Sequence, residues 1–227
     1  MPPPVTVAHV VFGTAVLLLG PAALLLRGRL GLHRKLGISF VVAMGVVIVS
    51  AAFMWQKPHH LFLLFLDAIA AYLVFYGWRS LRRAQDPHSA RGRALDAAVV
   101  IALVLDSAAV VWMGAAGSTT VVRNIALVLF TLGGIGFVFA AFDLRGLASG
   151  WSRRRRLSNH FTGMIAAYIS AVTAFCVINF HGIPIYVRWL APSAIGTIVI
   201  GRLTYDHLWA RRAQPQRLKT SSTAREA

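Results

Sequence analysis

The sequence predicts an all-α integral membrane protein that folds as a bundle of seven transmembrane helices. Its 227 residues are 57% hydrophobic and only 13% charged, whereas soluble domains carry about 25% charged residues. Seven apolar stretches alternate with short polar or basic segments. Each stretch has roughly the 20 residues that a helix needs to cross a bilayer core about 30 Å thick.

The predicted spans, in chain order, are residues 5–26, 36–56, 58–78, 94–116, 119–142, 160–180 and 185–203. Each is expected to be helical, because unpaired backbone polar groups cannot face lipid. Pro21 and Pro192 lie inside the first and last spans, where a proline predicts a kink. Residues 1–210 are assigned to one transmembrane domain, and residues 211–227 to a polar tail that we expect to be disordered.

Basic residues predict the orientation of the bundle. All 23 lysines and arginines except Lys57, Arg123 and Arg188 fall in the turn after span one, the loops after spans three and five, or the C-terminal end. Positive loops stay in the cytoplasm, which predicts an outside N-terminus, a cytoplasmic C-terminus and a location in the bacterial inner membrane. The basic residues behind the net charge of +16 are therefore interpreted as signals that orient the protein in the membrane. The expected partner is the lipid bilayer and not nucleic acid.

The few cysteines and lysines of the chain exclude three features. The single cysteine, Cys176, excludes an intramolecular disulfide and a cysteine-based metal cluster in one chain. The lysines, at positions 35, 57 and 219, all lie at span ends or in the tail. A retinal Schiff base of the rhodopsin kind is therefore excluded despite the seven predicted helices.

Histidines lie at both ends of the predicted spans. His9 and His60 are expected near the outer face, and His33 and His160 near the inner face. Two imidazoles that face each other across a bundle are the axial ligands of a low-spin haem b. His9 with His60 would hold an outer haem and His33 with His160 an inner one. The alternative is that these side chains simply sit at the headgroup level, as amphipathic side chains do.

Two other interpretations of the polar residues remain open. An outer-leaflet zinc or copper site, as in a membrane metal-dependent hydrolase, would use His9, His60, His181 and Asp67. A non-redox accessory subunit, sensor or small-solute permease would use Asp67 and Asp106, which lie mid-way along spans three and four, with Arg123. The alternative is a purely structural role, in which both acids are neutral and hydrogen-bonded to neighbouring groups.

Two segments resemble known families. The pattern H-x3-G, G-P-A, L-H-R-K-L-G and S-x-x-x-A over residues 9–43, with NHFTGMIAAYISAVTAFCVIN over residues 159–179, resembles a bacterial polytopic membrane-protein family without an assigned function. The segment from His9 to His33 is remotely similar to the ascorbate-reducible di-haem cytochrome b proteins. That likeness implies histidines alternating between faces, which His9, His33 and His60 match. Asp96 stands where the fourth histidine is expected, so His160 takes that role.

Together these observations predict a haem b or quinone-linked membrane redox protein. Its partner would be a quinone or another membrane redox protein. Arg34, Lys35 and the run Arg153–Arg156 would pair with haem propionates on the inner face. A protein without any cofactor is the remaining alternative.

Overall fold

A computed structural model describes residues 3–54, 61–82, 90–117, 120–149 and 152–205. Over these ranges the chain is all helical, as predicted. Its eight described helices are α1 (Pro4–Leu25), α2 (Leu30–Met54), α3 (Leu61–Arg82), α4 (Ala90–Ala116), α5 (Thr120–Asn124), α6 (Ala126–Ser149), α7 (Arg153–Asn179) and α8 (Ile185–Tyr205). The predicted tail, residues 211–227, lies outside the described residues, as does His60.

Six of the described helices, namely α1, α2, α3, α4, α6 and α7, are long and apolar enough to cross a membrane. This supports a polytopic membrane protein. Helix α8 is 21 residues long but contains Arg188 and Arg202, and it is not among the six. A charged residue inside a membrane span is costly, although α3 and α4 also carry arginines near one end and are among the six.

The helices extend beyond the predicted spans at their basic ends. Helix α7 begins at Arg153, seven residues before the predicted start, and α2 begins at Leu30 instead of residue 36. Arginine and lysine are good helix formers, so the helix continues after the apolar run has ended. Ser152 caps α7, because its hydroxyl accepts a hydrogen bond from the backbone N–H of Arg155 at 3.3 Å.

The fifth predicted span is wrong in one respect. Residues 119–142 were expected to form one helix, but the structure breaks the chain at Ile125 into the short helix α5 and the long helix α6. Arg123 and Asn124 at the end of α5 are exposed, whereas Ile125 is buried. The apolar helix that fits a membrane therefore begins at Ala126 and continues to Ser149.

The long helices form a closed ring with one central contact. Successive neighbours around the ring are α1, α2, α3, α4, α6, α8 and α7, and α7 returns to α1. Helices α3 and α7 also pack extensively against each other across the ring. These two helices therefore form the centre of the bundle.

Glycines set the distance between the two central helices. A Cβ atom added to Gly163 of α7 would lie 2.6 Å from the backbone nitrogen of Gly77 and 2.8 Å from the carbonyl oxygen of Leu73, both on α3. A real Cβ does not fit at such distances, so the backbones approach as closely as two glycines allow. Small residues serve this purpose at helix crossings in membranes.

We expect Gly163→Ala to lower the thermal stability of the detergent-solubilised protein. The new methyl group meets backbone atoms of α3, which cannot rotate away, and such overpacking typically costs about 1–3 kcal/mol. The matched control is Gly134→Ala in α6, where an added Cβ would meet nothing within 4 Å. The control should be neutral or slightly stabilising, because alanine favours a helix over glycine. Equal melting temperatures for the two variants would contradict the assigned contact.

Candidate functional site

Helices α2 and α7 bring two histidines together at one end of the bundle. The ring centroids of His33 and His160 are 6.4 Å apart, and the ring planes are inclined at 86°. Both side chains are half-buried. The turn Arg27–Lys35 and the run Arg153–Arg156 lie at the same end, which we call the basic end. The structure thus places side by side the two histidines that were expected to share an inner haem.

Each of the two rings is held by a backbone carbonyl. The Nδ1 atom of His33 lies 2.8 Å from the carbonyl oxygen of Ala23, and that of His160 lies 3.0 Å from the carbonyl oxygen of Gly77. A carbonyl oxygen only accepts hydrogen bonds, so each Nδ1 donates its proton. In the neutral ring, Nε2 then carries a lone pair. Histidines that bind metals have their second nitrogen anchored in this way.

Local structure explains why these carbonyls serve the histidines. Helix α1 ends at Leu25, so Ala23 lies among the last four residues, whose carbonyls lack a helical partner. Gly77 faces α7 at the glycine crossing, and His160 precedes Gly163 by three residues, about one helical turn. The close approach of α3 and α7 therefore puts the His160 ring against the carbonyl of Gly77.

The ring separation fits two imidazoles bound to opposite sides of one metal ion. With metal–nitrogen bonds of about 2.0–2.1 Å and a ring centre about 1.2 Å behind the nitrogen, trans ligands have centroids about 6.4 Å apart. Two ligands of a tetrahedral ion would be closer, at about 5 Å. A separation of 6.4 Å would therefore suit two histidines that hold one haem iron. An edge-to-face packing of two rings gives a similar distance.

Several basic residues lie at the same end of the bundle as the His33–His160 pair. Arg34 and Lys35 directly follow His33 on α2 and are exposed, and Arg156 precedes His160 by four residues on α7. Residues four apart lie on the same face of a helix. Neither α2 nor α7 has an acidic residue in its first turn. Arg156 therefore lies on the face of α7 that carries His160, and Arg34 and Lys35 add positive charge at the same end of the bundle.

His9 shows the same anchoring at the opposite end of α1. Its Nδ1 atom lies 3.0 Å from the hydroxyl oxygen of Ser50 on α2, and that hydroxyl donates to the carbonyl of Val47 at 2.9 Å. The serine oxygen is thus left to accept the proton of His9 Nδ1. The expected outer partner, His60, lies outside the described residues, so the outer pair stays a prediction.

The other predicted site residues lie apart from these histidines. Asp67 and Asp106 are half-buried on α3 and α4, His181 is exposed between α7 and α8, and Arg123 is exposed on α5. Arg123 donates to the hydroxyl of Thr120 at 3.3 Å, and no ion pair joins it to either acid in the described part of the chain. Among the same residues, no group of three or more His, Cys, Asp or Glu side chains lies close enough to hold a metal ion.

Two buried acids near the basic end have partners that sequence reasoning did not predict, and one of these acids, Asp143, it missed altogether. Asp96 of α4 forms an ion pair with Arg79 of α3 at 2.9 Å. Asp143 of α6 is 1% exposed and accepts a hydrogen bond from the hydroxyl of Tyr72 at 3.4 Å. Buried acids are almost always paired, and these two connect α3 to α4 and to α6. Asp143 was missed because it directly follows the predicted end of span five.

The chain matches no protein-family model, and it has no significant match among curated proteins or solved structures. The likeness to the di-haem cytochrome b proteins and to the bacterial membrane-protein family therefore stays an expectation from the sequence. The fold and the composition define a polytopic α-helical membrane protein with six candidate spans. Anything more specific depends on the chemistry of the histidines.

Proposed function

We propose that this protein is a b-type haem protein of the bacterial inner membrane that takes part in electron transfer, with His33 and His160 as axial ligands. One observation carries the proposal. Two half-buried histidines from different helices lie 6.4 Å apart, and each is anchored through Nδ1 to a backbone carbonyl. That arrangement leaves both Nε2 atoms as ligands in the neutral rings.

The residues of this chain would hold the haem, orient it and tune it. A bound haem supplies one-electron chemistry, and its potential depends on axial ligands, hydrogen bonding and burial. The carbonyls of Ala23 and Gly77 fix the tautomer and the direction of the two imidazoles. Arg34, Lys35 and Arg156 supply positive charge for the haem carboxylates. An outer haem at His9 and His60 belongs to the same proposal and is supported by the bond from His9 to Ser50.

The proposed topology has seven spans, with α8 as the seventh and a cytoplasmic C-terminus. Helix α8 has 21 residues, and its Arg188 donates at 2.8 Å to the carbonyl of Val177 near the end of α7. This contact satisfies a carbonyl left free by the helix end and keeps the charge near the membrane surface. A C-terminal green fluorescent protein fusion should be fluorescent in cells, and a C-terminal alkaline phosphatase fusion should be inactive; the reverse pattern would contradict the topology.

The decisive experiment is an optical spectrum of the full-length protein. It would be expressed with added haem precursor, purified in mild detergent and recorded oxidised and dithionite-reduced. We expect a Soret band and a sharp α band of low-spin ferrous haem, with one or two haems per chain by the pyridine haemochrome assay. A colourless protein that also fails to take up added haemin would overturn the proposal. Elemental analysis of the same sample separates haem iron from the zinc or copper alternative.

A further inference from the structure

A groove opens on the outer surface of the bundle between α3 and α4. It encloses 370 Å³ and is bordered mainly by small and aromatic side chains. Ala68, Ala71 and Ala102 leave the space, while Tyr72 and Phe75 form an aromatic wall. Ala68 and Ala102 are exposed on the outside of the bundle, so the groove faces lipid in a membrane. Ligand pockets in proteins typically enclose about 300–1,000 Å³ and are mostly apolar with a few polar groups.

The polar group of this groove is the carboxyl of Asp106. Asp106 is half-buried and borders the groove, and its Oδ2 atom has no hydrogen-bond partner in the described part of the chain. The hydroxyl of Tyr72 is engaged elsewhere, because it donates to Asp143 of α6. A buried polar atom without a partner is costly and requires an explanation. A lipid acyl chain in the groove would leave that oxygen unpaired.

We propose that this groove binds the headgroup of a lipid-soluble quinone or hydroquinone, with Asp106 as its hydrogen-bond partner. The inference rests on the proposed redox function and names its membrane-borne partner. An ionised Asp106 accepts a hydrogen bond from a hydroquinone hydroxyl, and a protonated Asp106 donates one to a quinone carbonyl. The two forms of the ligand thus match the two forms of the acid. The apolar walls and the aromatic side chains suit a planar ring that arrives from the lipid.

The groove lies close to the His33–His160 pair along α3. Tyr72 of the groove and Gly77, whose carbonyl holds His160, are five residues apart on this helix. Five residues correspond to an axial distance of about 7.5 Å. The groove and the carbonyl that holds His160 are therefore on the same helix, about one and a half turns apart along its axis.

The test measures quinone binding by the full-length protein in two ways. Quinone that co-purifies in mild detergent is extracted with organic solvent and quantified by chromatography, and binding of a short-chain ubiquinone analogue is titrated by quenching of tryptophan fluorescence. We expect Ala102→Phe, which fills the groove, and Asp106→Leu, which removes its polar group, each to weaken binding by about tenfold or more. Ala108→Phe is the matched control, because Ala108 is exposed on α4 and does not border the groove.

The outcomes separate this inference from the proposed function. Loss of quinone binding in both groove variants but not in Ala108→Phe supports the groove, whether or not the protein contains haem. Unchanged binding in Ala102→Phe and Asp106→Leu overturns it, even when the haem spectrum is present. Co-purified phospholipid in place of quinone, together with no response to the analogue, also overturns it. Ala68→Phe is a second filling variant on α3, which guards against a folding defect specific to α4.

Discussion

Replacing either His33 or His160 with alanine is expected to abolish the low-spin haem spectrum of the purified protein. A bis-histidine haem has one axial ligand on each side, and these two residues are the facing pair at 6.4 Å. Under the proposed function each substitution would remove one of the two residues that hold the haem, while the other ring stays anchored to its carbonyl. We expect the α band to disappear and the haem content to fall to about a tenth or less of the wild-type value, since losing a ligand weakens binding far more than the 10–100-fold typical of an outer-shell partner.

Controls separate ligation from loss of folding. His181→Ala removes an exposed histidine between α7 and α8 and should retain the full spectrum. His33→Met keeps a residue that can bind haem iron, and a methionine–histidine pair raises the reduction potential. We therefore expect a retained haem with a shifted potential in that variant. Full haem content in both alanine variants would instead assign the His33–His160 contact to edge-to-face packing.

His9→Ala tests the second, outer haem. The expected result is the loss of one of two haems while the signal of the other persists, because His9 and His33 lie at opposite ends of the α1–α2 hairpin. A single haem that is unaffected by this substitution would restrict the proposal to the basic end. The bond between His9 and Ser50 would then be a structural contact between α1 and α2.

The sequence predicted that His33 and His160 share one end of the bundle and that His9 lies at the other, but it did not predict the distance between His33 and His160. The end follows from alternating spans and from the basic turns beside His33 and His160, which are local features. The distance depends on how α2 and α7 are arranged around α3. That arrangement depends on the contact between Gly77 and Gly163, residues 86 positions apart, whose pairing no local pattern reveals.

Apolar runs predicted the long helices well because a membrane span requires both helical backbone and apolar side chains. They predicted helix ends poorly where the helix leaves the apolar region. The arginines at the start of α7 are helical, although hydropathy places them in a loop. The break at Ile125 was missed for the opposite reason, since apolar residues on both sides of it hide the end of α5.

The sequence places Asp96 correctly at the basic end of its helix, but it does not reveal which residue Asp96 contacts. It was noted at the basic end of span four, where the di-haem likeness expects a histidine. In the structure its side chain is 4% exposed and pairs with Arg79, whose side chain is 15% exposed. The partner is on the preceding helix, 17 residues earlier, and only the packing of α3 against α4 brings the two together. The position therefore stabilises the bundle through an ion pair, which the sequence alone does not reveal.

The second large effect is expected from Asp96→Ala. This substitution leaves the guanidinium of Arg79 largely buried without its carboxylate, and breaking a buried ion pair in this way costs about 3–5 kcal/mol. We expect the apparent melting temperature in detergent to fall by roughly 10 °C. Arg93→Met is the matched control, because Arg93 is exposed near the start of the same helix and surface changes usually stay within about 0.5 kcal/mol.

A double variant tests whether the cost comes from the unpaired charge or from lost packing. In Arg79→Met with Asp96→Leu, both charges are replaced by apolar groups of similar size, and such replacement is often neutral or stabilising. We therefore expect the double variant to recover most of the stability that Asp96→Ala loses. If the double variant is as unstable as Asp96→Ala, the ion pair is needed for the packing of α3 against α4. If Asp96→Ala is as stable as Arg93→Met, the assigned burial of the pair is wrong.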